Sequence, residues 1–252
     1  MDLSHNRSYG KWFATPLLRA IRRYGMVASG ERVCVALSGG KDSAALLYML
    51  AYLQRHSHLR FDLSAIHVRV AEYDTAVLAR YCEALGVPYM EEGIRATRER
   101  LPDKACSVCS RVKRGAMARR LAAEGIRTVA FGHHATDAAE TLLMNLALHR
   151  TLSAFPPKVV FGDTPLTVIR PMVYLEERAV ARLHRHAGLP LLAWKCPYAA
   201  NNIRERFRAG LAELETGLGA RSLALTVVAA LERTDPAWQP GRTEVRRRGR
   251  DG

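Results

Sequence analysis

Along the chain, short unbroken apolar runs alternate with longer stretches in which apolar residues recur every three or four positions. That is the rhythm of strands followed by helices. The clearest run, residues 33–37 (Val-Cys-Val-Ala-Leu), predicts a strand buried on both faces of a parallel sheet. Ser38-Gly39-Gly40 follows as a tight turn, and residues 44–53 continue as a helix that Asp42 and Ser43 can cap. The alternation repeats downstream. Residues 61–68 read as strand, 75–85 as a helix stopped at Gly86, and 87–91 as strand. A further helix runs to about residue 124, and 126–131 read as strand.

Ahead of this unit, Phe13, Leu17, Ile21 and Tyr24 fall at helical spacing with Arg19, Arg22 and Arg23 between them. Residues 12–24 therefore predict an amphipathic basic helix, its apolar face packing on the core and its arginines open to phosphates. Residues 1–10 are polar and read as frayed. After residue 131, Gly132-His133-His134 turns at a strand's carboxyl end. Asp137 stands as N-cap of a helix over 138–148, with Leu142, Leu143 and Leu146 expected to face the core. From Thr151 the periodicity loosens, around Phe155-Pro156-Pro157-Lys158 and Val168-Ile169-Arg170-Pro171. Helices are expected over 176–186, 202–214 and 220–231, with 189–194 extended.

The fold class expected is α/β, with a doubly wound parallel sheet over residues 31–172. An N-terminal helix occupies residues 1–30 and a helical C-terminal extension 173–235. Residues 236–252, where Arg246, Arg247, Arg248 and Arg250 stand among Pro and Gly, read as a basic disordered tail.

Composition narrows the classes. Hydrophobic residues make up 48%, ample for a core of this size. No segment approaches the ~18 to 20 apolar residues of a membrane span. Residues 1–30 lack the apolar centre of a signal peptide, so a cytoplasmic protein without membrane partners is expected. Lys and Arg number 38 against 24 Asp and Glu, a net charge of +14 that favours a polyanionic partner, nucleic acid first. Five cysteines, an odd number that includes a Cys-x-x-Cys, point to metal or redox chemistry rather than a disulfide scaffold.

Ser38 to Ser43 places glycines beside the exposed amides of a helix N-terminus, an arrangement that receives anions. In a doubly wound sheet, ligands sit beyond the strands' carboxyl ends, where this loop falls. His133, His134 and Asp137 would lie over the same place. The two histidines are either structural or ligand-facing, and Asp137 is either a cap alone or a Mg²⁺ ligand. Cys106-x-x-Cys109 can present two sulfurs to one metal, with Arg111, Lys113 and Arg114 favouring thiolate. Taken alone it suits zinc, an iron–sulfur cluster, a redox disulfide or no function, and the second Cys-x-x-Cys of a four-sulfur zinc site is missing. Cys34 and Cys82 read as core residues.

The wording Ser-Gly-Gly-x-Asp-Ser after an apolar strand resembles the loop of the PP-loop ATP pyrophosphatases, not the Gly-x-x-x-x-Gly-Lys-Ser/Thr of common NTPases. The resemblance implies a HUP-like fold and ATP cleaved between its α- and β-phosphates, with AMP attached to a substrate oxygen. Ser38, Gly39, Gly40, Lys41, Asp42 and Ser43, with Gly132 and His133, would hold ATP and its Mg²⁺.

Cys106-x-x-Cys109, Gly132-His133-His134 with Asp137, Arg170-Pro171 and Cys196 extend the likeness. Residues 12–215 resemble the iron–sulfur-dependent tRNA 2-thiolation enzymes of that superfamily. By that resemblance Cys106, Cys109 and Cys196 hold a 4Fe-4S cluster through three irons, leaving the fourth open. Asp42, Lys113 and Asp137 are then the catalytic residues. The partners implied are a tRNA reached at its anticodon loop and a sulfur donor such as a cysteine desulfurase or free sulfide. Homodimerisation is left open. Cys106-Ser-x-Cys-Ser-Arg, Phe155 to Lys158 and the Gly-His-His turn resemble the 2-thiocytidine synthetases, which modify cytidine 32. Cys196-Pro197-Tyr198, and Lys113 four residues after Cys109, resemble the 2-thiouridine synthetases. That second group usually carries Cys-rich zinc fingers at both ends, which are not seen in this sequence. Formation of 2-thiocytidine is the reaction expected. The alternatives are 2-thiouridine formation and a metal-free PP-loop ligase acting on tRNA.

Overall fold

The apolar run at Val33 becomes β1, an interior strand of a seven-stranded sheet of order β3-β2-β1-β4-β6-β5-β7 among the described residues. The computed structural model describes residues 2–94, 105–162, 166–193, 203–241 and 244–246. Strands β1 (Glu31–Ala36), β2 (Phe61–Arg69), β3 (Tyr89–Gly93), β4 (Thr128–Ala130) and β6 (Leu166–Ile169) run parallel. Strand β5 (Lys158–Phe161) is antiparallel to β6, and β7 (Glu244–Arg246) pairs parallel with β5. Period-two alternation splits β1 between two cores. Val33 and Val35 enter the larger core, while Cys34 enters the smaller one with Met117, Leu121 and Val129.

Helices cover both faces: α1 (Arg7–Tyr9), α2 (Thr15–Arg23), α3 (Lys41–His56), α4 (Ala76–Leu85), α5 (Ala105–Ala123), α6 (Ala135–Met144), α7 (Glu177–His186), α8 (Ile203–Gly217) and α9 (Leu223–Thr234). The doubly wound α/β expectation thus holds. Every residue of α3 from Ser43 to Leu53 is buried, because the sheet lies under one side and the amino-terminal segment and α7 cover the other. No described helix is long and apolar enough to cross a membrane.

Several local expectations need correction. Residues 2–10 are not frayed. Leu3 and Tyr9 are buried, Tyr48 Oη donates to the Asp2 carbonyl at 2.7 Å, and His56 Nε2 donates to the Leu3 carbonyl at 2.6 Å. The arginines expected to face phosphates on α2 have partners within the chain. Arg19 lies 4.4 Å over the Tyr174 ring, Arg22 meets His58, and Arg23 pairs with Glu232 at 2.8 Å. The stretch that loosens after Thr151 holds the β5–β6 hairpin, whose strands of four residues are too short to show a period. Leu146 is 49% exposed, since α6 passes into a π-helical turn (Asn145–His149) that carries side chains off the 3.6-residue stripe. The tail is ordered where it is described. Asp235 caps a short helix, Pro236–Trp238, that buries Trp238 completely, and Glu244–Arg246 adds a strand to the sheet.

Candidate nucleotide and catalytic site

The turn between β1 and α3 is built from its own hydroxyls. Ser43 Oγ accepts the Ser38 N–H at 3.0 Å and donates to the Gly40 carbonyl at 3.0 Å. It also lies 2.9 Å from Ser38 Oγ, which accepts the Gly40 N–H at 3.3 Å. Gly39 takes φ +86°, a left-handed conformation open to glycine, and its carbonyl accepts the Leu192 N–H at 2.9 Å. A Cβ at Gly132 would stand 2.9 Å from the backbone of Asp42, so glycine there lets the β4–α6 turn touch the loop. The α3 amides thus open onto the carboxyl end of the sheet, where a helix N-terminus favours negative charge.

Around this loop the carboxylates and cations of four helices alternate. Lys41 Nζ, at the start of α3, lies 3.1 Å from Asp42 Oδ1 and 2.9 Å from Glu177 Oε1 at the start of α7. The same Glu177 oxygen receives Arg208 Nη1 of α8 at 3.4 Å. Arg208 also grips the fully buried Glu140 of α6, Nε to Oε1 at 2.6 Å and Nη2 to Oε2 at 3.4 Å. Arg204 Nε comes within 3.9 Å of Glu140, and its Nη1 within 3.7 Å of Asp137 Oδ1. His134 returns the ring to the loop, with Nδ1 3.3 Å from Asp137 Oδ2 and Nε2 3.7 Å from Asp42 Oδ1.

Asp137 is not the N-cap of α6. His134 is, and Asp137 sits at the third helical position of a capping box. Its carboxylate accepts the His134 N–H at 2.9 Å, and His134 Nδ1 accepts the Asp137 N–H at 3.4 Å. The second bond puts the His134 hydrogen on Nε2, facing Asp42. Both His134 Nε2 and Asp42 Oδ1 are buried without a hydrogen bond, although Lys41 is an ionic neighbour of that oxygen. A carboxylate oxygen uncommitted to hydrogen bonds beside an anion site suits Mg²⁺, a hard cation that takes oxygen ligands.

Burial opposes the charge on Lys41, yet its bond to Glu177 and the two neighbouring carboxylates raise its pKa. Burial likewise works against ionised Glu177, but Lys41 and Arg208 outweigh it and lower the carboxyl pKa. His133 is held differently. It stacks on Phe131 and tilts against Phe155 at 4.9 Å, and its Nδ1 accepts from Arg170 Nε at 3.2 Å. Burial first, then the Arg170 charge, push its pKa down to about 3.

Cys106 and Cys109 fall three apart in the first turn of α5, on one helix face. Cys109 is a free, partly exposed thiol. Burial first, with Cys109 a lesser contributor, raises the Tyr73 pKa, and burial first, with the Lys113 charge a lesser one, lowers that of His67. His67 donates from Nδ1 to the Leu37 carbonyl at 2.7 Å, and its Nε2 lies 3.0 Å from Tyr73 Oη, which ties this region to the start of the loop. Cys196 lies outside the described residues, as does the Cys106 side chain. The described residues on either side of Cys196, Leu192 and Arg204, both meet the site, at Gly39 and Asp137. Among the described residues no three His, Cys, Asp or Glu side chains gather as metal ligands. Cys109, an accessible thiol three residues after Cys106, is a soft donor of the kind an iron–sulfur cluster uses.

The expected residues Ser38, Gly39, Gly40, Lys41, Asp42, Ser43, Gly132, His133 and Asp137 therefore converge at one end of the sheet. Glu140, Glu177, Arg204 and Arg208 were not singled out as site residues. Glu140 carried a signal, because a carboxylate between Ala138, Ala139 and Leu143 on an apolar face demands a buried partner.

A parallel sheet with a serine- and glycine-built anion loop after β1 defines a nucleotide-binding α/β protein. Residues 12–213 match the PP-loop domain family. The chain is 34% identical over 227 residues to the tRNA-cytidine(32) 2-sulfurtransferase of Methylococcus capsulatus, covering 87% of this chain and 78% of that protein. It is 34% identical over 206 residues to the protein of that name from Geobacter sulfurreducens, covering 78% and 80%. For the Stenotrophomonas maltophilia relative of the same name the identity is 37%, over 73% of this chain and 64% of the relative. The chain belongs to the PP-loop family, in the branch of the tRNA-cytidine(32) 2-sulfurtransferases. The U34-tRNA thiolase NcsA of Methanococcus maripaludis, solved with its 4Fe-4S cluster, shares the fold. Its TM-score is 0.68 at 21% identity, covering 87% of this chain and 77% of that one.

Proposed function

We propose that the protein is an ATP-dependent, 4Fe-4S-dependent tRNA sulfurtransferase that converts cytidine 32 to 2-thiocytidine. The observation that carries this reading is the anion loop with Asp42 and Asp137 at the carboxyl end of the sheet, to whose start His67 and Tyr73 link Cys109 and Lys113 of α5. The kinship with named cytidine(32) sulfurtransferases supports the choice of base.

The work falls to the residues in sequence. The amides at the start of α3 hold the pyrophosphate portion of ATP, with the Ser38 and Ser43 hydroxyls shaping the turn and Lys41 balancing charge. Asp42 Oδ1 is the oxygen offered to Mg²⁺. The cytidine C2 oxygen takes AMP from ATP as pyrophosphate leaves, and sulfur then displaces AMP at C2. Asp137 and Lys113 flank that base, Asp137 orienting it and Lys113 polarising it. Cys106, Cys109 and Cys196 would hold the cluster, which would supply the sulfur. A desulfurase or free sulfide replenishes it. A cytoplasmic location accompanies a tRNA substrate.

We also propose a homodimer, formed on one exposed apolar surface. A groove of about 840 Å³ is lined by Leu143, Leu146, Ile203, Phe207, Leu214 and Leu218. Gly210 also lines it, as do Arg206 and Glu213. Two copies of α8 packed antiparallel about Gly210 would bring the Arg206 of each to the Glu213 of the other. Leu214→Glu is expected to yield monomers in analytical ultracentrifugation.

The deciding experiment uses protein purified without oxygen. About four irons and four sulfides per chain are expected, with pyrophosphate release and 2-thiocytidine formed only on tRNA bearing cytidine 32. Replacing Cys106, Cys109 or Cys196 by Ala should remove iron and thiolation but keep ATP binding. Thiolation by such a variant, or by iron-free protein, would turn the reading towards a metal-free adenylating enzyme.

A further inference from the structure

We propose that Glu177 is a nucleotide-responsive positioning residue that hands its charge from Lys41 to Arg208 when a triphosphate occupies the loop. The proposal rests on the reading of Ser38 to Ser43 as the ATP loop and is indifferent to which base is modified.

A single carboxylate oxygen carries the case. Glu177 Oε1 is shared by Lys41 Nζ at 2.9 Å and Arg208 Nη1 at 3.4 Å. The two cations come from different helices, one from the first residue of α3 and the other from the middle of α8. Lys41 stands beside the helix N-terminus that receives phosphate, and a triphosphate outbids one carboxylate for an ammonium. Once Lys41 turns to the phosphates, Arg208 is the remaining cation on Glu177 among its described ion pairs. Their 3.4 Å contact has room to close towards the ~2.7 to 2.9 Å of a charge-assisted bond.

Arg208 does not move alone. It is held at two points by Glu140, which is wholly buried, and Arg204 one turn earlier approaches both Glu140 and Asp137. A shift of the guanidinium towards Glu177 therefore draws on α8 and on the environment of Asp137. Helix α8 opens at Ile203, shortly after Cys196 in the chain. Loading of ATP is thereby felt at the proposed catalytic carboxylate and at the helix that follows the third cysteine, before any chemistry occurs. A set of static ion pairs would only brace the fold. A relay makes the opposite prediction for nucleotide affinity, because neutralising Glu177 removes one of the two carboxylates that hold Lys41 and leaves it only Asp42 among its described ion pairs.

The test follows hydrogen exchange in the full chain, prepared without oxygen, with and without Mg²⁺ and an ATP analogue bearing a methylene bridge between its α- and β-phosphates. Calorimetry gives the analogue's affinity. Wild-type protein should bind the analogue and change its exchange rates in residues 203–217. Glu177→Gln should bind it about threefold more tightly or better, the equivalent of releasing one half-exposed ion pair, and lose the response in α8. Glu177→Asp, which keeps the charge, should regain part of that response. Analogue binding by wild type with α8 unchanged would overturn the relay while sparing the nucleotide site, and this arm does not depend on any variant folding. Weaker binding by Glu177→Gln, or an undiminished response in it, would reduce the pair to a structural brace. No binding by wild type would overturn both the nucleotide site and the relay.

Discussion

Arg170 Nε donates to His133 Nδ1 at 3.2 Å, and that bond requires the imidazole to be neutral with its hydrogen on Nε2. The ring lies between Phe131 and Phe155, and Arg170 itself stacks 4.9 Å over Phe155 while donating to the Pro156 carbonyl. Protonating His133 would set two cations against each other in an aromatic slot. Its folded pKa of about 3 lies below the ~6.5 of an unfolded chain, so its contribution to stability is complete above pH ~6.5. That contribution is lost as pH falls towards 3, at up to about 1.4 kcal/mol per pH unit. His133→Gln keeps an acceptor for Arg170 without a titrating group. Urea unfolding at pH 7.5 and pH 5 should show wild type losing roughly 1 to 2 kcal/mol more than the variant over that interval. Equal losses would place the acid sensitivity elsewhere.

Gly132 is where the two loops of the site touch. A Cβ there meets backbone atoms, Asp42 C and O at 2.9 Å and Ser43 N at 3.0 Å, which cannot swing aside as a side chain would. Gly132→Ala should displace the start of α3 at a cost of about 1 to 3 kcal/mol, and weaken binding of Mg²⁺ and the ATP analogue roughly tenfold or more. Gly93→Ala, where the added carbon meets nothing within 4 Å, is the control expected to do neither. Calorimetric titration and thermal melting of both variants check the pair.

The strand, loop and helix around Ser38 were legible because their determinants are local: an apolar run and two glycines within fifteen residues. The caps expected from Asp42 and Ser43 are not made, since Gly40 is the N-cap of α3 without a side-chain bond and the Ser43 hydroxyl turns back to Ser38 and Gly40. The Gly-His-His turn was legible for the same reason. His134 as the cap was not, since its ring nitrogen does the work of a Ser or Asp oxygen. Ion pairs of long sequence separation leave no periodic trace. Lys41 with Glu177, and Glu140 with Arg208, are joined only by the packing of α3, α6, α7 and α8. Arg204 and Arg208 stand close in sequence with Arg206, and nothing local shows that each of the two faces buried or half-buried carboxylates. At the carboxyl end, the Pro- and Gly-rich composition that suggests disorder concealed Trp238, whose large apolar surface anchors its segment next to Phe155.

Net charge bears on how tRNA is held. The +14 balance survives many internal pairs, so affinity for tRNA should depend steeply on salt. For about five phosphate contacts, raising monovalent salt fourfold should weaken binding roughly a hundredfold. Filter binding across a salt series gives the slope. A flat series would mean that recognition rests on stacking and base contacts instead.

Asp137 does two jobs that substitutions can separate. Its carboxylate accepts the His134 N–H at 2.9 Å, closing the amino end of α6, and its Oδ1 faces Arg204 at 3.7 Å. Asp137→Ala removes both, and should cost about 1 kcal/mol of stability through the lost cap. Asp137→Asn keeps an oxygen for the His134 N–H, so its unfolding midpoint should lie near that of wild type. The charge is gone in both variants. If Asp137 orients or activates the target base, 2-thiocytidine formation should fall about a hundredfold or more in each, whatever the stability. Asp137→Asn that folds like wild type and thiolates like wild type would confine the residue to its capping role, and the base-activating carboxylate would have to be sought at Asp42.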